Sequence, residues 1–83
     1  MVKVGFVGGG SFGTALAILL ANKGVEVSIY DREMSVVNDI NINKRNDRYI
    51  KNLIIPNNVT AYKELSETLS NVNYVVLAVP SHI

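Results

Sequence analysis

Apolar positions along the chain gather into short blocks separated by glycine, asparagine and charged residues. Val2 to Val7 is apolar apart from Lys3, as befits a parallel strand covered on both faces. Val25 to Tyr30 alternates in part, Val59 to Ala61 makes a short third strand, and Tyr74 to Val79 is a fourth, stopped by Pro80. Between these, Thr14 to Lys23 interleaves Ala15, Ala17 and Ala21 with Leu16, Ile18, Leu19 and Leu20. That pattern predicts a helix, with Gly24 where a left-handed cap is wanted. Met34, Val37 and Ile40 recur at helical spacing and predict a second helix over Glu33 to Ile42, with Met34 as core filler. A third helix is expected from about Lys63 to Ser70, burying Leu65 and Leu69. The stretch Asn43 to Asn58 keeps no period, and its asparagines and Pro56 favour turns.

Strand and helix alternate, so the expected class is α/β: a parallel sheet with helices on both faces. The first strand, helix and second strand form one right-handed βαβ unit. In the doubly wound order the first three strands run outward to one side and the fourth returns to the other side of the first. The crevice then opens between the ends of strands one and four. The turn after the first strand and the turn Val79-Pro80-Ser81-His82 should therefore face one ligand.

Chemistry enters at the first junction. Gly8, Gly10 and Gly13 stand at the G-x-G-x-x-G spacing, between a strand and a helix, and Asp31 follows eighteen residues beyond Gly13. This is the fingerprint of Rossmann-type dinucleotide binding. Gly8 permits the tight exit from the strand, Gly10 leaves room for a pyrophosphate to approach the backbone, and Gly13 lets the helix pack close. The unpaired first amides of that helix, over Ser11 to Thr14, make an anion site. Glycine turns also arise for conformational reasons alone, and here the flanking elements and Asp31 favour the nucleotide. The expected fold is a Rossmann-type doubly wound sheet, incomplete, with about four strands.

Composition narrows the classes. With 48% hydrophobic and 18% charged residues the chain is globular, not disordered. A net charge of +1 gives no electrostatic case for nucleic acid or an acidic membrane. The absence of cysteine removes disulfides, thiolate nucleophiles and zinc-thiolate sites. The apolar N-terminus is broken by glycines and lacks a small-x-small cleavage site, so the expectation is a cytoplasmic protein without a signal peptide.

Several ordered matches resemble the N-terminal part of NAD(P)-dependent glycerol-3-phosphate dehydrogenases. They are Gly8-Gly9-Gly10-Ser11-Phe12-Gly13-Thr14-Ala15-Leu16-Ala17, Tyr30-Asp31-Arg32, Arg45-Asn46, Tyr49, Pro56-Asn57-Asn58 and Val79-Pro80-Ser81. Two departures stand out: Phe12 replaces the usual Trp or Tyr, and Ile50-Lys51-Asn52 replaces a loop that usually carries Leu-Pro. The resemblance implies hydride transfer between NAD or NADP and the dihydroxyacetone phosphate/glycerol 3-phosphate pair, feeding phospholipid synthesis. It also implies that the catalytic lysine and a helical substrate domain lie beyond Val-Pro-Ser, so that residues 1–83 are the N-terminal part of a dinucleotide domain and inactive alone.

The expected cofactor-binding residues are Gly8, Gly10, Ser11, Phe12, Gly13, Asp31, Arg32, Tyr49, Val79 and Pro80, with no catalytic or metal-ligating residue. Ser11 offers its hydroxyl and N–H to a pyrophosphate, or simply caps the helix. Phe12 either packs or lines the ligand, and Tyr49 is an anchor for its loop as readily as a contact. Asp31 would accept from ribose hydroxyls and favour NAD, whereas Arg32 would pair with a 2′-phosphate and favour NADP. Lys44, Arg45, Arg48 and Lys51, set against Asp47, read as a solvated loop or as a basic rim for a phosphorylated ligand. Lys3, Lys23 and Lys63 read as solvated charges, and His82 has no visible partner for a general-base role. Rival readings are another Rossmann enzyme acting on hydroxyacids or sugar acids, such as a relative of 6-phosphogluconate dehydrogenase, and a non-catalytic module that senses nicotinamide redox state or merely mediates assembly. The last strand would leave one edge unpaired, so self-association of the isolated chain is expected.

Overall fold

The computed structural model describes residues 2–8 and 10–78. The chain runs β1 (Lys3–Val7), α1 (Gly10–Asn22), β2 (Glu26–Tyr30), α2 (Met34–Asn38), a turn of π-helix (Asp39–Asn43), β3 (Val59–Tyr62), α3 (Leu65–Thr68) and β4 (Tyr74–Leu77). Every strand pairing is parallel and the sheet order is β3-β2-β1-β4. This is the doubly wound order expected from the alternation, and it sets all the strands' carboxyl ends at one end of the sheet.

Register builds the core. Val4, Val27 and Val59 form one row across the sheet and Phe6, Ile29 and Ala61 the next, all buried on one face. Ala17 and Ala21 of α1, Val36 and Val37 of α2, Ile40 and Ile55 close over those rows. The buried stripe of α1 is Gly13, Thr14, Ala17 and Ala21, small residues at helical spacing that let the helix lie close to the sheet. On the other face Gly5 and Ser28 meet α3. The Ser28 hydroxyl donates to the Thr68 carbonyl at 2.6 Å, and a Cβ on Gly5 would come within 3.2 Å of that same carbonyl. Helices therefore cover both faces, and the bare backbone at Gly5 is what admits the second one.

Local differences from the sequence expectations have local causes. Helix α1 starts at Gly10, not Thr14, because the turn is tight enough for residues 11 to 13 to be helical already. It closes in a Schellman motif: Val25 N–H donates to Leu20 O, Gly24 N–H to Ala21 O, and Gly24 has φ 90. Met34 is exposed rather than core filler, since Val36, Val37 and Ile40 form the buried stripe one register away. The helix then widens into its π turn, where Lys44 N–H reaches Asp39 O and Lys44 takes the left-handed φ 57. Helix α3 is one short turn with Leu65 exposed. The residue it buries is Thr68, whose hydroxyl donates to Glu64 O, while Leu69 is only half-buried. Lys3 is not merely solvated, since its Nζ donates to Ser70 O at 3.1 Å.

Candidate functional site

The carboxyl end of β1 runs into two glycines with positive φ, Gly8 at 80° and Gly10 at 54°, a conformation that L side chains avoid. The glycines that follow meet opposite surroundings. A Cβ added at Gly10 meets nothing within 4 Å, so the backbone there faces open space. A Cβ at Gly13 would lie 3.1 Å from Ala78 Cβ and 3.3 Å from Gly8 O, so the start of α1 is wedged between the ends of β1 and β4. Ala78 N–H in turn donates to Val7 O at 3.0 Å. No acidic side chain lies in the first turn of α1, leaving the positive end of the helix for an external anion.

The carboxyl end of β2 supplies the second group. Asp31 Oδ1 accepts from Glu33 N–H at 2.8 Å, so one carboxylate oxygen fixes the turn that carries Arg32 into solvent. Glu33 Oε2 lies 2.9 Å from Arg48 Nη1. The hydrogen bond that Arg48 donates to Glu33 first, and the Glu33 charge second, raise the pKa of the Arg48 guanidinium.

Arg48 belongs to a loop that reaches the site through long-range hydrogen bonds. Asn46, 3% exposed, donates from Nδ2 to Thr14 Oγ1 at 3.0 Å, and the Thr14 hydroxyl donates to Gly10 O at 2.7 Å. Ser11 Oγ donates to Tyr49 O at 3.0 Å, while Tyr49 and Ile50 N–H both bond Asn46 O. The loop is thereby stitched to the glycine turn at two points. Asn46 Oδ1 is buried without a partner among the described residues.

Gly8, Gly10, Ser11, Phe12 and Gly13 thus share one junction, Tyr49 is tied to it, and Asp31 and Arg32 stand at the neighbouring strand end. Val79 and Pro80, with Ser81 and His82, lie outside the described residues. Ser11 does not cap the helix: it is the second helical residue and its hydroxyl is turned to Tyr49 O. Phe12 is 74% exposed, so it packs against little, whereas Tyr49 is partly buried against the core as an anchor would be. The basic stretch is solvent-facing at Arg48, which is nevertheless paired with Glu33. Sequence reasoning missed Thr14 and Asn46 as the joint between loop and turn. A buried asparagine flanked by Arg45 and Asp47 has no periodic signal, and its only mark was the Arg-Asn match.

The parallel order, the positive-φ glycine junction and the helix leaving it define a Rossmann-type α/β domain. Within that class, the chain belongs to the family described as NAD-dependent glycerol-3-phosphate dehydrogenase N-terminus, whose model matches residues 3–83. It is 65% identical over 83 residues to glycerol-3-phosphate dehydrogenase (NAD(P)+) of Clostridium perfringens, covering 100% of this chain and 25% of the relative. The crystal structure of glycerol-3-phosphate dehydrogenase from Coxiella burnetii superimposes with a TM-score of 0.84 at 33% identity, over 92% of this chain and 23% of that one. The glycerol-3-phosphate dehydrogenase structure from Plasmodium falciparum shares the fold, with a TM-score of 0.78 at 22% identity over 93% of this chain and 24% of that one. The chain spans about a quarter of the length of the curated relatives it matches. Among the described residues no helix is long and apolar enough to cross a membrane.

Proposed function

We propose that residues 1–83 are the cofactor-binding portion of an NAD(P)-dependent glycerol-3-phosphate dehydrogenase of the cytoplasm, with the substrate domain and catalytic residues outside this chain. The observation that carries this reading is the open backbone at Gly10, where positive φ and empty space coincide at the positive end of α1. A dinucleotide fits that cradle. The amides of the first turn, Ser11 N–H among them, would hold its pyrophosphate, with Gly8 and Gly13 shaping the turn. Phe12 and Tyr49 would flank the ligand, and Val79 and Pro80 would approach it from the β4 side. The free oxygen of Asp31 would accept from the ribose, and Arg32 would meet a 2′-phosphate. The chemistry a nicotinamide would supply when bound is reversible hydride transfer between its own ring and the dihydroxyacetone phosphate/glycerol 3-phosphate pair, feeding phospholipid synthesis. This chain's own residues bind and orient it.

The test is titration of the full-length gene product with NADH and NADPH, followed by assay with dihydroxyacetone phosphate. Gly10→Ala is expected to weaken both cofactors at least tenfold, while positive φ costs it only about 1 kcal/mol of stability. Arg32→Ala should weaken NADPH about tenfold more than NADH, the loss of one hydrogen bond to a charged group. Binding of neither cofactor by the unaltered protein overturns the reading. For the 83-residue chain alone we propose self-association through β4, where Tyr74, Val75 and Leu77 are exposed.

A further inference from the structure

With the ribose end of the dinucleotide at the carboxyl end of β2, as proposed, the side chains gathered there are balanced in charge. Asp31 and Glu33 bring two carboxylates, while Arg32 and Arg48 bring two guanidiniums. Arg48 is remote in sequence and is placed by tertiary contacts. The Asn46–Thr14 and Ser11–Tyr49 hydrogen bonds, each 3.0 Å, fix the loop against α1, and the guanidinium lands 2.9 Å from the carboxylate of the residue after Arg32. It lies 5.9 Å from the centroid of the Tyr49 ring, which steadies it without using its N–H groups.

The pair is built to exchange. Arg48 and Glu33 side chains are 54% and 43% exposed, and ion pairs this wet contribute little to stability. A phosphate offers more charge and more acceptor oxygens than one carboxylate and matches the guanidinium fork equally well. Arg48 has N–H groups beyond the one facing Glu33, so a second anion can engage it before the first contact breaks.

We propose that the Glu33–Arg48 pair sets the balance between the two nicotinamide cofactors: Arg48 is a second guanidinium, beside Arg32, for the 2′-phosphate of NADP, and Glu33 holds it in reserve. With NAD the pair stays closed and the local charge is neutral. With NADP the phosphate takes over Arg48 and the Glu33 carboxylate turns to water. Glu33 therefore opposes the phosphate twice, by repelling it and by competing for its partner.

This inference rests on the dinucleotide reading, and the experiment separates the two. NADH and NADPH are titrated by their own fluorescence into the full-length gene product and its variants at fixed, low ionic strength. Glu33→Gln should tighten NADPH about tenfold and change NADH less than twofold. Arg48→Gln, which leaves Glu33 uncompensated, should weaken NADPH about tenfold with NADH again nearly unchanged, and Arg48→Lys should recover part of that loss. Lys51→Gln, which removes an exposed cation of the same segment, should leave the NADPH-to-NADH ratio where it was. An unchanged ratio in both Glu33→Gln and Arg48→Gln, or an equal effect from Lys51→Gln, overturns the proposal while cofactor binding stands. Failure of the unaltered protein to bind either cofactor overturns the reading beneath it.

Discussion

The two edges of the sheet are finished in opposite ways. At the β3 edge, Ala61 turns its N–H and C=O away from β2, and the side-chain amide of Asn41 answers both, donating to Ala61 O and accepting from Ala61 N–H, each at 2.8 Å. One asparagine from the π-helical turn does the work of a neighbouring strand. At the β4 edge, Tyr74, Val75 and Leu77 are 65%, 47% and 71% exposed, and among the described residues β4 pairs only with β1. The first edge is closed by polar groups with a defined geometry. The second presents apolar surface of the kind that invites another strand. Both edges belong to one sheet, and the contrast shows that a single side-chain amide can meet the backbone groups an edge strand turns outward.

Each edge can be altered by substitution. The largest effect is expected from Asn41→Leu, which strips both partners from Ala61. It should cost about 2 kcal/mol, read as a lower urea midpoint at unchanged slope. Next is the joint change Val75→Thr and Leu77→Lys at the open edge. It should raise the concentration at which the 83-residue chain associates about tenfold in sedimentation velocity, with the unfolding midpoint nearly unmoved, since both side chains are already exposed. If the double variant associates as readily as the unaltered chain, β4 is not the contact. The smallest change comes from Ser28→Ala in the middle of the sheet. It removes the 2.6 Å bond to Thr68 O but leaves β2 paired on both sides, and should cost about 1 kcal/mol.

The site divides along similar lines. The glycine junction is carried by adjacent residues, and its spacing foretold the turn, the helix after it and the close packing at Gly13. The loop that bears Arg48 is held by Asn46, Thr14 and Ser11, groups far apart in the chain. Nothing periodic marks them, so the stretch read as either solvent-facing or basic rim. Met34 and Leu65 misled for the same reason: helical spacing names a candidate stripe, but which of two neighbouring stripes faces the sheet depends on how the helix is docked.

By itself the sequence determined the order of strands and helices, the parallel sheet and the turn at Gly8 and Gly10, because each follows from steric limits on neighbouring residues and from the period of apolar side chains. Tertiary structure alone decided that Asn41 closes one edge, that Asn46 joins the loop to the turn, and that Arg48 meets Glu33. Hydrogen bonds and ion pairs between distant segments depend on distances that exist only once the core rows of Val4, Phe6, Val27 and Ile29 have brought those segments together.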